Sequence, residues 1–388
     1  MNTWAVHPGS IGTIAGWDAE RLARACLSGV VDPASPKLAH VISTLGACRV
    51  WETLLRSGED SAWARRAKAF DLRRNLGLTR REDLRFLVPG DPDWVAGWDE
   101  LAYTEHNGLG GTPLGVWAVG PGLPGPLLAD SVAIVGSRAS TTYGERVASD
   151  LGAEIAGAGR TVLSGGAYGI DAAAHRGALA NDGGTVAILA GGLDQWYPRG
   201  NHHLLERIAD QGVVLSEVAP GIPPSKAGFL ARNRLLAAGS VGTVLVEAAS
   251  RSGALNTTGW AQALHREVMA VPGPVTSAAS HGPNQQIAEG KAVLVTSADD
   301  ILRHLAPIQP ELPPPPGPPR LLDGLAGDDL AVREALPGRG SVDVTAIADR
   351  TGLRVPDVLA ALAALEGRQL ARRKGDGSWA LDRPRAVG

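Results

Sequence analysis

The sequence predicts an α/β protein built on a doubly wound, mostly parallel sheet, and three observations carry that expectation. From residue 114 to residue 304, short apolar runs alternate with stretches of helical apolar spacing, the pattern of a parallel sheet covered on both faces. The runs end in small residues and turn formers: Gly136-Ser137-Arg138, Ser164-Gly165-Gly166, Ala190-Gly191-Gly192, Ser216-Glu217, Glu247 and Pro272-Gly273. In a parallel sheet these ends share one edge, the edge at which ligands bind. Residues 131–166 read as one complete βαβ unit. Val132–Val135 is a short apolar run, Val147, Leu151 and Ile155 share one helical face, and 161–163 is a second run. Turns of this kind let an anion approach the N–H groups at the next helix's N-terminus, and Arg138 adds positive charge there.

Residues 1–85 are predicted to form a small helical bundle, with helices over 20–26, 37–45, 49–55 and 63–76. The last carries Arg65, Arg66, Lys68, Arg73 and Arg74. A solvated helix face is the ordinary meaning of such a charge run, and contact with a phosphate backbone is the alternative. Residues 88–98 read as turns leading into a sheet domain over 86–306. Its strands are expected at 114–119, 132–135, 161–163, 185–189, 213–215, 243–246, 268–271 and 293–295.

One long loop, 217–234, breaks the alternation. Its first half is held extended by Pro220, Pro223 and Pro224, and its second half gathers Lys226, Phe229, Arg232 and Arg234. A cationic cluster with one aromatic ring suits a single-stranded nucleic acid, whose phosphates attract Arg and Lys and whose unstacked bases need a π-face. The competing reading is a surface loop with a buried Phe. If Arg232 and Arg234 lie on a helix they point about 200° apart. One is therefore predicted to contact nucleic acid and the other to pair with Glu217 or Glu247.

Residues 307–319 form a Pro-rich, stiff linker. Beyond it, residues 320–384 read as a winged helix, with helices over 321–336, 344–351 and 355–366 and wing strands at 369–372 and 378–381. The third helix has no Lys or Arg, whereas Arg368, Arg372, Arg373 and Lys374 cluster at the wing. That favours protein contact or auxiliary DNA binding over sequence-specific reading.

The 388 residues are 44% hydrophobic, enough for two or three folded domains. No apolar run approaches the roughly 20 residues of a membrane span, and the N-terminus has no signal-peptide pattern, so a cytoplasmic location is expected. Cys26 and Cys48 stand far apart with no Cys/His cluster, which points to reduced thiols and neither a disulfide nor a zinc site. The net charge of −3 hides a difference between segments. Residues 1–85 carry 13 Lys and Arg against 9 Asp and Glu, residues 86–306 carry 13 against 20, and residues 320–388 carry 11 against 10. If the acidic middle segment binds a polyanion, it must do so through a local cationic pocket.

Several groups are weighed against catalysis. Asp171 and His175 are four apart on one expected helix, but no nucleophile or metal set accompanies them, and capping and packing are expected. His202-His203 reads as a helix start. Glu247 ends a buried strand and must be hydrogen-bonded or paired, with Arg138 and Arg232 as candidates. No GxxxxGK[ST] occurs, and no GxGxxG follows the first strand, so neither nucleotide hydrolysis by a P-loop nor a dinucleotide cofactor is supported. No cofactor is expected.

Eight ordered motifs bear a resemblance to a known family. They are GSR (136–138), SGGAYGIDAAAHRGAL (164–179), GGLDQWYPRGN (191–201), LSE (215–217), FLARNR (229–234), VEAASRSGALNT (246–257), VPG (271–273) and GPNQQIAEG (282–290). Over residues 88–306 the chain resembles the DNA-processing protein A family, also called Smf. The resemblance implies a Rossmann-like domain that binds and protects single-stranded DNA and helps load RecA recombinase in natural transformation, without catalysis. It also implies a helical, SAM- or HhH-like N-terminal domain and a C-terminal winged helix. The implied partners are single-stranded DNA, RecA, a single-strand-binding protein and a second copy of the chain.

Carried over by position, Gly136, Ser137 and Arg138 match the first-turn motif, and Ser164, Gly165 and Gly166 the second. Family members often have Leu-Ala-Arg-Gly where this chain has Gly166-Ala167-Tyr168-Gly169, so Tyr168 is expected to stack in place of an arginine contact. Arg232, Asn233 and Arg234 match the family's Arg-Asn-Arg, and Phe229 its aromatic. Lys226 is assigned to the DNA site on local charge alone. Ser252, Gly253 and Thr257 match a motif at a helix start that can hold another phosphate.

Two rival readings differ in class. A nucleotide-cleaving phosphoribohydrolase has a similar sheet, and its GGxGTxxE motif is echoed, without the full glycine pattern, by residues 240–247. A sequence-specific regulator would instead act on duplex DNA through the winged helix.

Overall fold

The computed structural model describes residues 17–58, 61–306 and 325–382. The chain divides into two units, residues 1–307 and 308–388.

Among the described residues of the first unit, five helices precede the sheet: α1 (Ala19–Ser28), α2 (Pro36–Leu45), α3 (Ala47–Arg56), α4 (Ala62–Ala69) and α5 (Leu72–Arg81). The single helix expected over 63–76 is two. Phe70 is extended, at φ −71° and ψ 121°, and the Asp71 side chain accepts the Arg74 N–H at 2.9 Å, which starts a new helix. The cap signal was present in the sequence, but the continuous basic run concealed it.

The remaining elements run β1 (Arg85–Leu87), β2 (Glu105–His106), β3 (Leu109–Gly110), β4 (Val116–Val119), α6 (Pro124–Leu128), β5 (Val132–Val135), α7 (Thr142–Gly157), β6 (Val162–Ser164), α8 (Ile170–Ala180), β7 (Thr185–Leu189), α9 (His202–Gln211) and β8 (Val213–Ser216). After them come α10 (Lys226–Ala238), β9 (Gly242–Leu245), α11 (Ala254–Ala263), β10 (Glu267–Ala270), α12 (His281–Ala288), β11 (Val293–Leu294) and α13 (Ala298–Leu305). Nine strands form one sheet in the order β1-β4-β8-β7-β6-β5-β9-β10-β11. From β8 to β11 neighbouring strands are parallel, whereas β4 runs antiparallel to both β8 and β1. The expected mostly parallel, doubly wound α/β sheet is present. The edge strand β1 was not anticipated, because three residues give too little alternation to be recognised.

Successive side chains of a strand point to opposite faces, and the core divides accordingly. Val135, Leu163, Ile188 and Leu245 pack with Trp98, Leu235 and Trp260 on one face, while Ile134, Val162 and Val244 pack with Leu151, Ile155 and Ile170 on the other. Residues 88–98 do more than turn, since Trp94 and Trp98 are buried and the Trp98 indole N–H reaches the Leu235 carbonyl at 3.1 Å. The helical layer joins the sheet through β4, where Trp117 stacks at 4.5 Å on Phe86 and donates to Ser28 Oγ at 3.2 Å. Cys26 and Cys48 are free thiols, with burial pushing their pKa values up to about 12 and about 11.

The second unit holds α14 (Gly327–Ala335), α15 (Val344–Thr351), α16 (Val355–Gly367), β12 (Ala371–Arg373) and β13 (Trp379–Leu381). The two strands are antiparallel, and Val332, Ile347, Val358, Leu362 and Trp379 share its core. The expected linker over 307–319 and the start of the helix expected from 321 lie outside the described residues.

Candidate nucleic-acid interface

The topology itself creates the cleft. From β5 the chain winds through β6, β7 and β8 to one side, and α10 then carries it back across to β9 on the other side of β5. The turns after β5 and β9 therefore diverge, which is where open α/β sheets bind ligands. A cavity of about 870 Å³ lies there, walled by 135–139 after β5, by 249–254 and Thr257 after β9, and by the N-terminal half of α10.

Helix α10 begins at Ser225, whose Oγ accepts the Gly228 N–H at 3.0 Å, and its last two turns are buried. Arg234, fully buried, makes a two-pronged ion pair with Glu217 at 2.7 Å on each arm, and its Nε donates to the Gly111 carbonyl at 3.3 Å. Arg232 points the other way, into the cleft, and is 6% exposed. Its Nε and Nη1 have no hydrogen-bond partner. Burial pulls its pKa down to about 10, against the opposing attraction of Asp171, so it remains cationic at neutral pH. The guanidinium lies against Gly165, where any Cβ would overlap it. Asp171 pins the same turn by accepting the Gly165 and Ala167 N–H groups at 3.2 and 3.4 Å. Burial pushes the Asp171 carboxyl upward, with Arg232 and Arg138 opposing.

Around the mouth, Arg138, Lys226 and Arg251 are exposed. The Arg138 guanidinium sits 4.2 Å above the Phe229 ring, and Tyr197 meets that ring edge-on with centroids 6.0 Å apart. At the start of α11, Gly253 carries no side-chain cap and nothing stands within 4 Å of where its Cβ would be. Ser252 Oγ accepts the Ala254 N–H at 3.3 Å. Asn233 ties α10 to this end by donating to the Gly253 carbonyl and to Asn256 Oδ1, both at 3.2 Å. Four cations and one carboxylate, Asp171, line the cleft, so an acidic segment concentrates its positive charge at one place.

Of the residues singled out in the sequence, Gly136, Ser137, Arg138, Lys226, Phe229, Arg232, Asn233, Ser252, Gly253 and Thr257 line this cleft. Five do not. Ser164 is fully buried and donates from Oγ to the Ile134 carbonyl at 2.6 Å, a bond between β6 and β5. Gly165 and Gly166 are buried beneath Arg232 and Leu189, so their smallness serves side chains of this chain. Tyr168 is exposed away from the cleft lining, and its hydroxyl accepts the Gly200 N–H at 3.2 Å. Arg234 is committed to Glu217.

The pairing expected for Glu247 is also corrected. Its carboxylate takes the Thr141 N–H at 2.9 Å and the Thr141 hydroxyl at 2.6 Å, and it occupies the space where Gly144 lacks a Cβ. It thus neutralises the N-terminus of α7, an interaction worth about 0.3–2 kcal/mol, and pairs with neither Arg138 nor Arg232. Sequence reasoning missed Tyr197, Arg251 and Asp171 as lining residues, although each lies within a quoted motif. His175 is not paired with Asp171. Its Nδ1 meets Thr185 Oγ1 at 2.8 Å, and burial drops its pKa to about 3.

A doubly wound α/β domain with cations and two aromatic rings at its switch point has the makings of a polyanion-binding protein. Residues 107–306 match the family model described as DNA recombination-mediator protein A. The chain is 43% identical over 371 residues to a DNA processing protein DprA of Mycobacterium tuberculosis, covering 92% of this chain and 93% of that one. Among solved structures, DNA processing protein A from Streptococcus pneumoniae superimposes with a TM-score of 0.57 at 30% identity, over 73% of this chain and 96% of that one. DNA processing protein A from Helicobacter pylori, described for its single-stranded DNA binding mode, gives 0.50 at 28% identity, over 57% and 95%. The chain belongs to the DNA recombination-mediator protein A family, whose members mediate recombination and are not enzymes. The phosphoribohydrolase echo at 240–247 fails in the structure as well, since its glutamate, Glu247, is spent on capping α7.

Two predictions follow from the buried charges. Arg234→Met leaves Glu217 unpaired and is expected to cost about 3–5 kcal/mol, while adding Glu217→Met recovers much of that, as thermal denaturation of the single and double variants will measure. For His175 the folded pKa lies below its ordinary 6.5, so the unfolded chain binds the extra proton between about pH 3 and pH 6.5. Its contribution to stability is complete above pH 6.5 and is lost as the pH falls, so urea titrations of His175→Gln should show a shallower acid loss than the parent.

Proposed function

We propose that the cleft is the single-stranded DNA site and that Gly136, Ser137, Arg138, Lys226, Phe229, Arg232, Asn233, Ser252, Gly253 and Thr257 form it. The observation that carries this reading is Arg232, nearly enclosed, cationic and with two donor nitrogens unpartnered, in a cleft whose mouth adds three more cations and two rings. Backbone phosphates suit Arg138, Lys226, Arg251 and the open N-terminus of α11, and bases suit Phe229 and Tyr197. The single-stranded DNA binding of the H. pylori relative supports the same assignment.

In this reading the DNA-bound chain is a cytoplasmic recombination mediator that presents the strand to RecA in natural transformation, acts as a homodimer and meets single-strand-binding protein on its substrate. Residues 1–85 are a helical domain, 86–306 the Rossmann-like DNA-binding domain, 307–319 a linker and 320–384 a winged helix. Three helices followed by an antiparallel pair, with Val342 bridging to Trp379, support the last assignment. Its role is protein contact or auxiliary DNA binding, because α16 carries no Lys or Arg.

Arg138→Ala is expected to weaken binding of an oligonucleotide about 10- to 100-fold, the worth of a charge-assisted hydrogen bond. It should also flatten the slope of log K against log salt by about 0.7. Unchanged affinity in a folded variant, measured by fluorescence anisotropy over a salt series, refutes the assignment. Removing residues 320–388 should leave most of the affinity in place, and loss of nearly all binding would move the site out of the cleft.

A further inference from the structure

A strongly cationic stretch of the described residues lies outside the cleft. Residues 62–81, the span of α4 and α5, carry seven Lys and Arg against one carboxylate, Asp71, in a chain of net charge −3. The buried residues of these helices are Ala64, Ala67, Asn75, Leu76 and Thr79, so the cations occupy the opposite, solvent side. The exposed Asp71 carboxylate caps α5, Arg66 pairs with Asp32 at 3.1 Å and Arg81 with Glu82 at 2.6 Å. Lys68, Arg74 and Arg80 are exposed beside them.

The side of α5 that faces away from these cations packs on the loop that leads to one wall of the cleft. Asn75 of α5, itself buried, donates to the Pro220 carbonyl at 3.0 Å, and Leu78 packs beside Gly221. Four residues beyond Gly221, the same loop reaches Ser225 and Lys226 on the cleft wall. The connecting stretch 218–225 carries no charge, and the nearby carboxylate of Asp194 is engaged by the Gly221 N–H at 2.6 Å. The loop between Lys226 and the contact with α5 therefore adds no negative charge of its own.

We infer that α4 and α5 form a second, sequence-independent track for the backbone of single-stranded DNA, extending the path that begins in the cleft. The inference rests on the cleft being the primary DNA site. Arginine and lysine on a helix face contact phosphates without reading bases, so the track adds length and salt dependence rather than sequence preference. It also gives the basic run over 63–76 a role beyond solvation.

The test compares the full-length chain with the triple variant Lys68→Gln, Arg74→Gln, Arg80→Gln, using oligodeoxythymidylates of about 6 and about 16 nucleotides, the range of single-domain site sizes. The expected result is equal affinity for the short strand. For the long strand the variant should lose about tenfold or more at low salt, with the salt slope shallower by up to about 2, three contacts at about 0.7 each. Equal affinity and equal slope for the long strand overturn the inference and leave the face to solvent or to an acidic protein. Equal loss on both strands with an unchanged melting temperature also overturns it, because the substitutions then act on the cleft. Failure of the unmodified chain to bind the short strand, with the long-strand difference intact, counts against the cleft and not against the track.

Discussion

The ion pair between Arg234 and Glu217 is the constraint on which the site depends. Both groups are buried, and the pair is held at 2.7 Å on both arms. A charge taken this far from water is tolerable only with its partner in place, so the register of α10 is fixed relative to the end of β8. Fixing Arg234 on one side of the helix fixes Arg232 on the other, since two residues along a helix turn the side chain through about 200°. Arg232 is thereby driven into the cleft, against a turn that only glycine at 165 leaves open.

The walls of the cleft are set by comparable internal bonds. Glu247 anchors the start of α7 beside the turn after β5, Asn233 anchors the start of α11 after β9, and Asp171 anchors the turn after β6. Buried polar groups must be satisfied internally unless a ligand satisfies them. Ser164, Arg234 and Glu247 met that demand within the chain. Arg232 did not, and its unpartnered nitrogens distinguish it. The result is an internally bonded frame with unpartnered donors inside the cleft, an arrangement that reduces the ordering needed to hold a flexible polyanion.

Concentrating cations in this way resolves the conflict between an acidic middle segment and a nucleic-acid ligand. Of the 20 carboxylates of residues 86–306 only Asp171 lines the cleft, whereas four of the 13 cations do. At physiological ionic strength charges beyond about 8 Å are largely screened, so the local cluster outweighs the distant excess. Helices α4 and α5 add further charge of the same sign elsewhere in the first unit.

The sequence by itself determined the sheet, its mostly parallel sense and the edge where ligands bind, because buried parallel strands read as apolar runs and their ends as small residues. The second half of the loop expected over 217–234 is instead the start of α10, capped by Ser225, and only with that helix in place does the helical repeat require Arg232 and Arg234 to diverge. Tertiary structure alone decided which arginine faces the cleft, because the choice depends on where Glu217 lies across the fold, 17 residues away. It decided too that Gly165 accommodates an arginine side chain, that Glu247 caps α7, and that Tyr197 stands beside Phe229. Each of these is a contact between segments distant in the chain, and periodicity, a local property, carries no information about it. The break at Phe70 and the strand β1 were lost for the opposite reason, being local features too short to rise above the pattern around them.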